Sequence, residues 1–240
     1  MSTSEKPFVI IDAGNTSIKV AHVNNGQIQS VNRYPKLADA LGSISDADIV
    51  CASVINENFK QLFFERAISF HQITHQSLLP FKSAYRSMET IGIDRLCNIA
   101  GALKSFKSHN CLVIDIGTCI KFDFISANNI YLGGSISPGI DVRYKSLHEH
   151  TSKLPLIASK VNTPIIGDNT KRAIHSGVIN GIQYEIQGMI LRYEKDFSDL
   201  KILITGGDAS YFDFPQKSNI FANKNLTLEG IVEIYEINAL

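Results

Sequence analysis

The sequence predicts an α/β protein built as two small domains, and three observations carry that reading. An apolar strand that runs into Asp-x-Gly and straight on into a second strand occurs twice, in "FVIIDAGNTSIKVAHV" (8–23) and "CLVIDIGTCIKFDFI" (111–125). Asp12 and Asp115 stand 103 residues apart, close to the length of one small domain. The chain has 240 residues and 44% hydrophobic content, enough to bury one large core or two moderate ones.

Taken in order, alternation and β-branched residues place strands at 7–12, 17–23 and 27–34. A short apolar strand at 49–54 follows the Asp46/Asp48 turn. Helical spacing covers 57–69 and 93–107, and a boundary falls near 107–110, which divides the chain into 1–108 and 109–240. The second half opens with strands at 111–115, 119–126 and 130–136, followed by helical stretches at 139–149 and 169–195. A last strand at 201–205 enters "TGGDAS", and 226–240 reads as a closing helix. Each half is thus a β-meander finished by helices.

Composition narrows the function. Lys plus Arg and Asp plus Glu both number 23, so the formal charge is zero and there is none of the basic surplus a nucleic-acid partner requires. Asp12 interrupts the only early apolar run, and no stretch approaches the roughly 18 apolar residues of a membrane span, so a cytoplasmic protein with no membrane partner is expected. Cys51, Cys97, Cys111 and Cys119 form no C-x-x-C pair and lie in apolar surroundings, which reads as reduced, buried thiols. His148 and His150, two apart on a helix, face different ways; His71 and His75 have the four-residue spacing but lie across a strand without a third ligand, and no metal is assigned to either pair.

The chemistry sits at the two Asp-x-Gly turns. A strand ending on Asp sets a carboxylate at the sheet edge, while Gly14 and Gly117 let the backbone turn tightly and approach a ligand. Asn15, Thr16 and Thr118 add donors, so two facing hairpins would offer amides and hydroxyls to phosphates and carboxylates to the accompanying cations. A single such turn is an ordinary hairpin, since Asp, Gly and Asn are the commonest turn residues. Two in the same strand context point to a nucleotide clamp.

"DAGNTS", "DIGT" and "TGG" (205–207) resemble the phosphate-1, phosphate-2 and adenosine motifs of the acetate and sugar kinase, heat-shock chaperone and actin superfamily. That resemblance implies two ribonuclease-H-like domains with ATP between them. The shortness of the chain and the segments "YRSMETIGIDR" (85–95), "GGSISPG" (133–139), "NTKRAIHSG" (169–177) and "TGGDA" (205–209) resemble, in order and spacing, the type III pantothenate kinase family.

The resemblance implies ATP-dependent phosphorylation of pantothenate to 4′-phosphopantothenate, with Mg²⁺ accompanying ATP, a monovalent cation (K⁺ or NH₄⁺), and a homodimer. It makes Asp94 the proton acceptor and Arg95 the arginine that holds pantothenate, with Tyr85, Gly92, Ile93 and Thr170 as further substrate contacts. The loop of Asp12, Ala13, Gly14, Asn15, Thr16, Ser17, Ile18 and Lys19 becomes the ATP-binding turn, Thr118 a second ATP contact, and Asp115 the ligand of the monovalent cation. The chemistry agrees: phosphoryl transfer needs alignment and charge neutralisation, a carboxylate beside the attacking hydroxyl, and a planar fork of donors for a substrate carboxylate. Cys119, Ile120 and Lys121 depart from the family pattern, in which Ala and hydroxyl residues follow the Thr, and Lys121 could itself supply a positive charge. Two rivals are a pantothenate-kinase-like accessory regulator of transcription and a kinase of the same superfamily for another small hydroxy acid; an actin-like or chaperone-like ATPase would need subdomains for which the chain has no room.

Overall fold

The computed structural model describes residues 6–14, 17–44, 47–53, 67–160 and 162–239. The chain divides into two compact units: Met1–Ser108 with Ala127–Leu132 and Asn225–Leu240, and His109–Ser126 with Gly133–Lys224.

Unit 1 is built on the strands β1 (Phe8–Ala13), β2 (Ile18–Asn24), β3 (Gln27–Tyr34), β4 (Ala47–Ser53) and β5 (Ala67–Gln72), in the order β3-β2-β1-β4-β5. The first three form the antiparallel meander, while β4 runs parallel to β1 and β5 parallel to β4. Asn25 and Gly26 both take positive φ, the two-residue turn whose twist matches that of the strands it joins. Val9, Ile11, Ala13, Ile18 and Val20 face one side of the sheet and pack with Ala40 and Leu41 of the short helix α1 (Leu37–Gly42). A two-residue strand, β6 (Lys82–Ser83), pairs in parallel with Ile130 and Tyr131.

Two further helices of unit 1 among the described residues are α2 (Ile93–Ser105) and α5 (Leu226–Asn238). They pack backbone to backbone. A Cβ on Gly101 would stand 2.4 Å from the Leu226 carbonyl oxygen, and one on Gly230 only 1.6 Å from that of Cys97. Buried Thr227 donates to Asn98 Oδ1 across the same crossing, at 2.7 Å. Gly230→Ala is therefore expected to force the helices apart at a cost of about 3 kcal/mol, the upper range for overpacking because backbone cannot swing away as a side chain can. Denaturant unfolding checks this, and an unchanged midpoint would refute the backbone contact.

Unit 2 has the sheet order β11-β10-β7-β8-β9, from β7 (Asn110–Ile116), β8 (Cys119–Ile125), β9 (Ile130–Pro138), β10 (Leu200–Thr205) and β11 (Ile220–Ala222). Strands β7 and β8 form the second Asp-x-Gly hairpin, and β10 is parallel to both β7 and β11. Leu112, Ile114, Ile116 and Phe122 share one core with Ile174, Val178, Ile182, Ile186 and Ile190 of α4 (Thr170–Asp196). Helix α3 (Ile140–Glu149) adds Ile140 and Tyr144.

Two sequence expectations are revised. The helix expected over 57–69 does not reach its end, because 67–69 belong to β5; residues 54–66 lie outside the described residues. Parallel pairing of β5 with β4 decides that segment, a contact the local pattern does not encode. Of the cysteines, Cys97 and Cys111 are buried and Cys119 is half-buried, all three as free thiols; the side chain of Cys51 lies outside the described residues. Among the described residues no helix is long and apolar enough to cross a membrane, and no cluster of three metal-ligating side chains occurs.

Candidate active site

The phosphate-1 turn in unit 1 is short. Gly14 N–H donates to the Ser17 carbonyl at 3.1 Å, closing the β1–β2 connection, and Asn15 and Thr16 lie outside the described residues. Ala13 and Ile18 are buried in the core, so only their backbone faces the turn. Asp12 sits opposite Lys19 in the antiparallel register, with 3.4 Å between Lys19 Nζ and Asp12 Oδ2.

The "YRSMETIGIDR" segment (85–95), also in unit 1, is pinned from several sides. Ala84 N–H donates to the Tyr131 carbonyl at 2.9 Å and Tyr85 N–H to Ser83 Oγ at 3.1 Å. Tyr85 lies against the buried Tyr131, ring centroids 5.9 Å apart. His75 Nε2–H donates to the Ile91 carbonyl at 2.7 Å, fixing the chain one residue before Gly92. Gly92 caps α2, and Asp94 and Arg95 fall in its first turn, where the helix dipole favours a carboxylate. Asp94 Oδ1 accepts from Arg95 N–H at 2.9 Å. Arg95 is only 4% exposed, with its guanidinium 5.6 Å from the Tyr85 ring centroid, a stacked cation.

Burial pushes the Cys97 thiol well above its usual range, and the negative charges of Asp12 and then Asp94 push it further. Gly92 has a precise use here. A Cβ there would stand 2.4 Å from Asp94 Oδ1, while its φ of −62° suits any residue. Gly92→Ala is expected to leave the unfolding midpoint nearly unchanged and to lower kcat about tenfold to a hundredfold by displacing the carboxylate. Equal kcat in the two proteins would show that the position of Asp94 is immaterial.

In unit 2 the phosphate-2 turn is the meeting point of three motifs. Gly117 N–H donates to the Cys119 carbonyl at 3.2 Å, and Thr118 is exposed at the tip. Gly139, closing "GGSISPG", donates to the Thr118 carbonyl at 3.0 Å, and a Cβ on it would stand 2.0 Å from the Gly117 carbonyl oxygen. Gly206, at φ +100°, lies equally close to Ile116, and Asp208 N–H donates to the Ile116 carbonyl at 2.9 Å. Asp115 stands opposite Lys121, whose Nζ donates to Asp115 Oδ2 at 2.8 Å. Burial raises the Asp208 carboxyl above its ordinary range, with Asp141 and then Asp115 adding to the effect. Thr170 is the exposed first residue of α4, behind the Asn169 cap that accepts from Arg172 N–H at 3.1 Å.

Sequence reasoning did not find two of these features. The spacing of His71 and His75 points only to a metal pair, whereas the His75 ring anchors the segment before Gly92. The Asp115–Lys121 pair follows from counting outward from the Gly117 turn, which sets 115 against 121.

The family profile described as Type III pantothenate kinase matches residues 8–192. A Type III pantothenate kinase of Flavobacterium johnsoniae is 42% identical over 239 residues, covering 95% of this chain and 97% of the relative. A crystal structure from Campylobacter jejuni, described as a conserved Baf family transcriptional activator, has a TM-score of 0.65 at 25% identity, covering 97% of this chain and 99% of that one. A protein from Sinorhizobium meliloti described as a 2-dehydro-3-deoxygalactonokinase has a TM-score of 0.54 at 11% identity, covering 96% and 98%. That last likeness is one of fold alone.

Proposed function

The chain belongs to the type III pantothenate kinase family, and from that premise we propose how its residues transfer the terminal phosphoryl group of ATP to pantothenate, the first step of coenzyme A biosynthesis. The pantothenate primary hydroxyl attacks the γ-phosphorus as the bond to the β–γ bridging oxygen breaks. ADP leaves, and the hydroxyl proton passes to the Asp94 carboxylate late in a loose transition state. Arg95, with its guanidinium over the Tyr85 ring, offers its fork of donors to the substrate carboxylate. Gly92 and Ile93 supply backbone beside them, and Thr170 is assigned a further contact with pantothenate by resemblance.

The turn from Asp12 to Lys19 and the Thr118 hydroxyl are assigned to ATP. The divalent ion arrives with ATP as part of the substrate and neutralises phosphate charge. A homodimer and a cytoplasmic location complete the proposal. A monovalent cation at Asp115 fits the residues poorly, because the Lys121 ammonium already stands 2.8 Å from that carboxylate.

The observation that carries the reading is a buried arginine, stacked on Tyr85, next to a carboxylate in the first turn of α2. The purified protein with ATP and pantothenate should yield a product heavier by one phosphoryl group, read by mass analysis. Absence of that product would favour the second reading, an accessory regulator, which draws on the description of the Campylobacter jejuni relative.

A further inference from the structure

We propose that the Lys121 ammonium, held by Asp115, is the resident monovalent cation of the phosphate-2 hairpin, so that this chain transfers phosphoryl groups without added K⁺ or NH₄⁺. The proposal rests on the kinase reading above.

Register makes the pair. In the antiparallel β7–β8 ladder Asp115 and Lys121 are directly opposite, so both side chains leave the same face of the sheet within reach of each other. The contact is 2.8 Å, with side-chain exposures of 18% for Lys121 and 14% for Asp115, sheltered enough that solvent screens it little. A lysine ammonium belongs to the same chemical class as NH₄⁺: one positive charge, N–H donors and no acceptor. A bare ion bound to Asp115 would meet this like charge at short range, and would have to displace a tethered group that loses no translational freedom on binding.

The surroundings call for a cation. The field of Asp115 reaches the carboxyl of Asp208, as does that of Asp141, so three carboxylates share this end of unit 2 and Lys121 is the positive group paired with one of them. Unit 1 repeats the device, with Asp12 opposite Lys19 on the phosphate-1 hairpin. The duplicated Asp-x-Gly unit is therefore also a duplicated Asp–Lys pair, and each hairpin brings its own counter-charge.

The test compares the wild-type chain in K⁺, NH₄⁺, Na⁺ and tetramethylammonium at constant ionic strength, measuring both turnover and the affinity for a non-hydrolysable ATP analogue by calorimetry. Turnover and affinity within about twofold across all four salts are expected, since no site discriminates among them. Lys121→Met, which keeps the straight apolar stem, is expected to bind the analogue about tenfold more weakly in tetramethylammonium and to regain affinity in K⁺ or NH₄⁺, because the ammonium that Asp115 holds is removed. Wild-type activation of about tenfold or more by K⁺ over tetramethylammonium overturns the proposal, and needs no variant to fold. Salt-independent, undiminished affinity in Lys121→Met overturns it as well. Failure of the wild type to phosphorylate pantothenate in any salt, with the analogue still bound, overturns the kinase reading instead and leaves the affinity measurements to decide Lys121.

Discussion

Asp94→Asn is expected to fold and bind ATP as the wild type does while turnover falls by about a hundredfold or more, the usual scale for a positioned acid–base group. The amide oxygen can still accept from Arg95 N–H, a bond of 2.9 Å in the wild type, so the first turn of α2 keeps its internal partner. Loss of the charge at the helix N-terminus costs only about 0.3 to 1 kcal/mol of stability. What disappears is a basic oxygen able to take the hydroxyl proton. The check is a steady-state kcat beside circular dichroism and analogue binding on the same preparation. Turnover near that of the wild type would remove Asp94 from the mechanism.

Arg95→Ala is expected to act on pantothenate rather than on ATP. A desolvated charge-assisted pair costs about 2 to 5 kcal/mol when one partner is lost, which corresponds to a rise in KM for pantothenate of about 30-fold or more. Arg95 is buried and stacked on Tyr85, so truncation also leaves the ring without its cover. Arg95→Lys is the sharper probe: it restores the charge but neither the planar fork nor the stacked surface, and KM should stay high. KM for ATP should move by less than about threefold in both variants, because the Asp12–Lys19 turn is untouched. An unchanged KM for pantothenate would separate Arg95 from the substrate.

The helix start that carries these two residues was legible because "GIDR" is a complete local instruction: a glycine with extended φ/ψ, then a helix whose first turn holds an aspartate and an arginine. The strands were legible for a similar reason. Phe8–Ala13, Ile18–Asn24 and Gln27–Tyr34 lie within a residue or two of their expected limits, since alternation and a tight turn are properties of adjacent residues. The orientation of Arg95 was not legible. It depends on Tyr85, on Tyr131 behind that ring, and on the pairing of Lys82–Ser83 with Ile130–Tyr131, a two-residue strand with no period to detect.

By itself the sequence determined the duplicated strand–Asp-x-Gly–strand unit, the helix that begins at Gly92 and the identity of the charged groups, because each is fixed by residues within one or two turns of each other. Tertiary structure alone decided the rest. It made a strand of Ala67–Gln72, it laid α5 across α2 at Gly101 and Gly230, and it brought Gly139 and Gly206 against the Gly117 turn. The physical reason is common to all of these: a contact between segments tens of residues apart is selected by the shape and charge of both surfaces at once, and neither stretch of sequence carries both.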